Sequence, residues 1–417
     1  MKLLKLSPYY APEQISSTHL TKDLEQAYAD AGFITEIYAP SPTRGVTAQV
    51  REQYKKIKYE EKQNGKILVH RFSMFREGKN PVIRAVRYLL VNIVQYFKGI
   101  GAKNVDVVLG GSTPPTQGVL CALVARRLSK KRGKKVPFVF NLQDVFPDSL
   151  ATTGLAKKGS FLYNLGSKIA NYTYENADAI IVISQDIKEN IMAKGVPEEK
   201  IHVIYNWIDT EAVRPVKQED NRLYEELGLS RDTFKVVYAG NLGKAQGVDT
   251  VLSAAKVLQE RKDIEFIIFG KGAEEENLKK QAEEEQLTNV KFFPLLPAER
   301  VPEVYSLGDA CVVCCKAGTG GGGVPSKTWT IMACGRPLLL SFDANSELYR
   351  TVEKAQVGLC STVEDGEALA DRIVTLCAYP EEKEKLGNNA RQYAIEKASK
   401  EIALNKYIAV INGVLQK

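Results

Sequence analysis

Three glycine loops that carry lysines are the parts of this chain best suited to holding a phosphate. The longest runs from Gly318 to Pro337 and reads G-T-G-G-G-G-V-P-S-K-T-W-T-I-M-A-C-G-R-P. Glycines 318 and 320 to 323, with Gly322 and Gly323 among them, free the backbone to approach a ligand closely. Pro325 and Ser326 read as the entry to a short helix that Gly335 and Pro337 close. The unpaired N–H groups of that helix start, with Lys327 beside them, suit a phosphate or diphosphate. The competing reading is a mobile surface loop followed by a core helix, because Trp329, Ile331, Met332 and Cys334 are mostly apolar. A second loop, Y-A-G-N-L-G-K-A-Q-G, spans Tyr238 to Gly247 and brings Gly240, Asn241, Lys244 and Gln246 to the end of a strand. A third, F-G-K-G, places Gly270 and Gly272 after another strand. Each alone is a weak signal; three at strand ends of one sheet describe a site for a phosphorylated ligand.

Other chemistries lack their residues. The three histidines, His19, His70 and His202, form no HExxH-like cluster, so no metal site is expected. Cys311-x-x-Cys314-Cys315 has no second ligand pair and lies in an apolar, strand-like run, which makes core packing its expected role. Seven cysteines without a spaced framework fit a reducing compartment. The first strand and turn lack the dinucleotide glycine fingerprint, which argues against a nicotinamide or flavin enzyme, and no cofactor is expected. No signal peptide is visible and no apolar run reaches transmembrane length.

The elements that must position these loops alternate between strand and helix. Strands are predicted at Lys2–Leu6, Ile34–Ala39, Ile67–Phe72, Val105–Gly110, Val136–Leu142 and Ala179–Ser184, with a helix over Thr18–Ala31. After a polar, linker-like stretch from Thr210 to Ser230 the alternation restarts. Strands follow at Lys235–Ala239, Ile264–Phe269, Val290–Phe293, Ala310–Cys314 and Leu338–Phe342, with helices over Val248–Arg261 and Ala273–Gln286 and a final helix reaching Leu415. The pattern predicts an α/β protein with two doubly wound parallel sheets. The first domain covers residues 1–212 and the second 213–390, and 391–417 form a helix crossing back to the first.

Charge is divided unevenly. Through residue 200 there are 30 Lys and Arg against 18 Asp and Glu; beyond it there are 27 against 32. The basic first half admits an anionic membrane surface as partner. Nucleic acid is not expected, because the run Ser129-K-K-R-G-K-K135 has no aromatics and sits in no nucleic-acid module. Two helical stripes bear on the membrane reading. One has Ile83, Val86, Leu90, Ile93 and Phe97 within Val82 to Phe97; the other has Leu162, Leu165, Ile169 and Tyr172 within Leu155 to Tyr174. An apolar stripe ordinarily faces its own domain's core, and that is the expectation for both.

Across nearly its whole length the chain resembles the retaining glycosyltransferases of family 4, which have the GT-B architecture of two Rossmann-like domains facing across a cleft. The resemblance is carried by S-P-Y-Y-A-P-E at the first turn, N-L-Q-D-V-F-P-D-S from Asn141, A-D-A-I-I-V-I-S from Ala177 and I-H-V-I-Y-N-W-I-D from Ile201. The three glycine loops continue it in order. The P-S-K form is most similar to bacterial enzymes of O-antigen and capsule assembly, including N-acetylfucosamine transferases.

The resemblance implies a UDP-sugar donor bound by the second domain, an acceptor bound by the first, and no metal. Lys327 and Lys244 would neutralise the departing diphosphate. Gly240, Asn241, Gln246, Gly270, Gly272, Pro297, Gly322, Gly323, Pro325 and Ser326 would line the donor site. Asp144 would orient the acceptor hydroxyl or accept its proton. Tyr10, Glu13, Gln14 and Gln143 would meet the acceptor, a polyprenyl-diphosphate-linked saccharide at the inner face of the cytoplasmic membrane. The chain also departs from its family. Asn241 and Gln246 stand where typical members carry Arg and Lys. The paired-glutamate motif is absent, its positions falling at Gly322 and Thr330, which leaves Thr330 or Glu347 to contribute to ribose recognition. A nucleotide-sugar 2-epimerase of the same architecture and a non-catalytic UDP-sugar-binding protein are the alternative functions.

Overall fold

A computed structural model describes residues 1–13, 18–78, 80–152 and 156–416. The chain forms two compact units: Met1–Ile204 together with the residues from Leu404 onward, and Tyr205–Ala403.

Unit 1 is built on an eight-stranded sheet. Its strands are β1 (Lys2–Leu6), β2 (Ile34–Pro40), β3 (Tyr59–Lys62), β4 (Ile67–Phe72), β5 (Val107–Gly111), β6 (Phe138–Leu142), β7 (Ala179–Val182) and β8 (Ile201–Val203). They lie in the order β3-β4-β2-β1-β5-β6-β7-β8. All pairs are parallel except β3–β4, an antiparallel hairpin that the sequence reading lacked. Its turn uses Gln63, Asn64 and Gly65, all at positive φ, so the Asn-Gly pair was the overlooked signal.

Unit 2 is a six-stranded, all-parallel sheet of β9 (Phe234–Asn241), β10 (Ile264–Lys271), β11 (Val290–Phe293), β12 (Ala310–Cys314), β13 (Leu338–Ser341) and β14 (Gly358–Ser361). The order β11-β10-β9-β12-β13-β14 reverses direction between β9 and β12. Helices cover both faces, so the strands are apolar on both sides: Val236 and Tyr238 pack into one core, Val237 and Ala239 into the other. In an open sheet of this kind, ligands bind beyond the strand ends where the order reverses.

Three boundaries differ from expectation. The division falls at Ile204–Tyr205 rather than after residue 212. The stretch read as a linker is packed into unit 2: Leu223 and Tyr224 are buried in its core, and Arg391 donates hydrogen bonds to the carbonyls of Thr210 and Val213. The single final helix is two helices, Pro380–Ala398 and Lys400–Gln416. They part at Ser399 because Ile208 inserts its backbone there, its N–H donating to Ala398 and its carbonyl accepting from Lys400.

The helix Pro81–Gly101 corrects the core-facing expectation outright. Its inward side carries Arg87, Asn92 and Gln95, all buried. Gln95 donates to the carbonyls of Ser7 and Tyr38, Asn92 donates to the side-chain Oε1 of Gln117, and Arg87 donates to the Phe75 carbonyl. With these polar side chains bonded inside, the helix turns Ile83, Val86, Leu90, Ile93 and Phe97 outward. In Phe161–Asn176, Leu162 and Leu165 are also exposed, while Ile169 and Tyr172 are partly buried. Leu155, where that stripe was expected to begin, lies outside the described residues.

Candidate functional site

The site is centred on one ammonium group. Lys327 is the second residue of the helix Ser326–Ala333, which Pro325 precedes with extended backbone. Its Nζ is buried and has no hydrogen-bond acceptor among the described residues. It sits 3.8 Å from the ring centroid of Tyr238, a cation–π contact. Burial pulls the Lys327 pKa down to about 8. Tyr238 is itself buried, donates to the Asn241 carbonyl at 2.7 Å, and is pushed by desolvation well above the ordinary phenol range. It therefore presents a neutral ring to the cation.

Gly240 makes room for this arrangement. A Cβ there would stand 3.0 Å from Lys327 Nζ, and its φ of +144° is one that other residues seldom adopt. Lys327, Ser326, Pro325 and Thr330 from the helix and Gly240, Asn241 and Gln246 from the β9 loop line one cavity of about 480 Å³. Its remaining wall is mostly apolar: Phe269, Leu295, Leu296, Val301, Val304 and Tyr305. The cavity thus has one end at a helix start, with the Lys327 ammonium buried at its wall beside Gly240, and a hydrophobic end, and its size suits a small ligand. Tyr238, Tyr305 and the Leu295-Leu296 pair were missed in the sequence. Only the position of Tyr238, two residues before Gly240 on one strand, hinted at its place.

Other expected donor residues do different work. Lys244 is exposed on a short turn and does not line the cavity. Gly270 and Gly272 accommodate Leu242: a Cβ at either would meet that residue at 2.5 and 2.3 Å. Their absence of side chains seats the β9 loop against β10 and does not admit a ligand. Two amides of the glycine run are occupied. Gly318 and Gly320 donate to the two carboxylate oxygens of Asp343 at 2.9 and 2.8 Å, and Ala317 donates to Glu364. Gly322 ends a short 3-10 turn and Gly323 follows it, both outside the cavity lining, so the run is tethered at its start and does not line the cavity. Pro297 precedes another short turn outside the lining. Glu347 opens the helix Glu347–Ala355, is buried, and accepts a hydrogen bond from the Tyr205 hydroxyl at 2.5 Å. Asn241 and Gln246 are bonded to each other at 3.0 Å.

In unit 1 the first-turn residues are mostly structural. Glu13 is buried, its carboxylate accepting the backbone N–H groups of Tyr10, Thr43 and Arg44. It ties two loops together and is not an open acceptor group. Tyr10 is buried too, with its hydroxyl donated to Glu25 at 2.8 Å and its ring beneath Lys62 and Arg71. Gln14 lies outside the described residues. Gln143 and Asp144 follow β6, where both backbone N–H groups donate to the Ser112 hydroxyl, and Asp144 is exposed. Among the described residues no group of three or more His, Cys, Asp and Glu side chains forms a candidate metal site.

Family models match both halves of the chain. The family model "Glycosyltransferase Family 4" matches residues 18–212 and "Glycosyl transferases group 1" matches 220–393. The chain belongs to this GT-B glycosyltransferase family. It is similar to the probable glycosyltransferase WbjE of Pseudomonas aeruginosa, 29% identical over 76% of each chain. It is also similar to the putative colanic acid biosynthesis glycosyl transferase WcaI of Escherichia coli, 28% identical over 99% of this chain and 100% of that one. Among solved structures, sucrose-phosphate synthase of Thermosynechococcus elongatus matches with a TM-score of 0.75 at 17% identity, covering 100% of this chain and 99% of that one. HepE of Anabaena, solved in complex with UDP, matches at 0.73 and 17%, over 99% and 100%. These two likenesses establish the fold.

Proposed function

We propose that this glycosyltransferase takes a sugar from a UDP-sugar, with retention at the anomeric carbon and without a metal, in the assembly of a bacterial surface polysaccharide. The observation that carries the donor half is the buried Lys327 ammonium, which has no acceptor among the described residues and belongs to a residue of the cavity lining. A desolvated cation without an acceptor is costly unless a ligand completes it, and a departing diphosphate supplies the charge it lacks. The apolar end of the cavity suits a nucleobase and sugar face. Thr330, which lines the cavity, is assigned a ribose contact.

The donor sugar is assigned as an N-acetylated amino-sugar such as N-acetylfucosamine, on the motif resemblance. The acceptor is assigned as a polyprenyl-diphosphate-linked saccharide at the inner face of the cytoplasmic membrane, a reading favoured by the basic first half and by the name of the colanic acid relative. In unit 1, Asp144 is the group assigned to orient the acceptor hydroxyl.

Titration calorimetry with UDP tests the donor half: micromolar or tighter binding is expected, and no heat with either UDP or GDP refutes it. Incubation with a panel of UDP-sugars and a lipid-linked acceptor tests transfer. Turnover abolished by a chelator and restored by manganese refutes the metal-free reading.

A further inference from the structure

We propose that the outer layer of unit 1, formed by the helices Pro81–Gly101, Gln117–Arg132 and Phe161–Asn176, is a docking surface for an anionic lipid bilayer. It deepens the acceptor half of the function proposed above, and rests on that reading for placing the acceptor in a membrane. The three helices are side by side. Each precedes the next strand in the same direction across the sheet, from β4 through β5 and β6 to β7, so right-handed crossovers put all three on one face. They touch through glycines: a Cβ at Gly99 would meet Val124 at 3.1 Å, and one at Gly118 would meet Thr173 at 2.2 Å.

This layer is apolar where a protein surface is ordinarily polar. Val82, Leu89, Phe97 and Phe161 are 69, 59, 66 and 84% exposed, and Leu123 extends the patch on the middle helix. Scattered surface hydrophobics need no explanation, but a stripe running the length of Pro81–Gly101 while Arg87, Asn92 and Gln95 are buried beneath it does. The helix has been turned with its apolar side toward something outside unit 1.

Charge selects the partner. The three helices carry nine Lys and Arg against one acidic residue, Glu175. Arg84, Arg126, Arg127, Lys130 and Lys168 are exposed. A second copy of the same face would set these cations against each other. An anionic bilayer complements both features: its acyl boundary takes the apolar stripe and its headgroups take the cations, the two signals that stable peripheral attachment needs. None of the described helices is long and apolar enough to cross a membrane, so the surface lies on the bilayer.

The test is co-sedimentation of the full chain with vesicles of phosphatidylcholine alone or mixed with phosphatidylglycerol, in the absence of donor and acceptor. Its outcome is then independent of the donor-binding and transfer assays. Wild type is expected to pellet with the anionic vesicles and to be released by salt. The variant V86S/L89S/F97S is expected to lose at least about a hundredfold in partitioning. R126E/R127E should lose about tenfold, on anionic vesicles only. UDP binding and the thermal melt of each variant report folding, and the charge variant carries the test if the apolar one fails to fold. Wild type that ignores both vesicles, or variants that pellet as wild type does, overturn the proposal. So does a wild-type dimer in sedimentation velocity that V86S/L89S/F97S splits, which assigns the face to a second copy.

Discussion

Replacing Lys327 by Met sets the stability of unit 2 against the requirement of its ligand. The ammonium is buried with no acceptor among the described residues, and burial lowers its pKa from 10.5 to about 8. At about 1.4 kcal/mol per pH unit, holding it charged costs the free protein about 3 kcal/mol. The sign follows from proton binding. Between pH 8 and 10.5 the unfolded chain holds more protons at this group than the folded one, so stability rises with pH there. Below pH 8 the whole penalty is present. The Tyr238 ring offsets about 0.5–2 kcal/mol of it. Lys327→Met keeps a flexible apolar stem and removes the charge, so at pH 7 the variant is expected to be more stable by about 1–3 kcal/mol in urea denaturation. The same variant should bind UDP at least about thirtyfold more weakly, because a desolvated charge-assisted contact contributes about 2 kcal/mol or more. In wild type, bound diphosphate favours the charged lysine. UDP binding above pH 8 should therefore take up a proton, read as a dependence of the calorimetric heat on buffer ionisation, and affinity should fall as pH rises further. A variant less stable than wild type that still binds UDP normally would make Lys327 a structural residue and refute the reasoning.

Three further substitutions probe the supports of the site. Gly240→Ala places a methyl 3.0 Å from Lys327 Nζ at a strained φ; UDP affinity should drop about tenfold with a loss of about 1–2 kcal/mol in stability, measured by calorimetry and urea denaturation. Asp343→Ala frees the amides of Gly318 and Gly320; hydrogen exchange over 318–323 should accelerate by an order of magnitude, as expected when about 1–2 kcal/mol of local anchoring is lost. Glu13→Ala strips the hydrogen bonds of three backbone N–H groups in unit 1. It should destabilise by about 2–4 kcal/mol and leave UDP binding to the remaining folded protein unchanged, whereas lost transfer at full stability would restore Glu13 as an acceptor ligand.

What was legible in the sequence was whatever depends on neighbours along the chain. Most parallel strands appear as apolar runs of the right length, and Pro325-Ser326-Lys327 reads as a helix start because caps are local. The family was legible for the same reason: short motifs survive intact in order along the chain. The sequence also named Lys327, Gly240 and Asn241 as residues of one site, and the fold brings them to one cavity.

Only the tertiary structure decided which way a residue faces and what already satisfies it. The glycine run looks like a wholly open phosphate cradle until Asp343, remote in sequence, occupies the amides of Gly318 and Gly320. Glu13 looks like a cleft residue until Thr43 and Arg44 fold over its carboxylate. The break at Ser399 exists because Ile208 arrives there from the other end of unit 2. Periodicity located the apolar stripe of Pro81–Gly101 but had no means of orienting it. A helix can be turned either way until its buried polar groups find partners, and those partners, Ser7 after β1, Tyr38 on β2 and Gln117 on the neighbouring helix, come from three other parts of the chain.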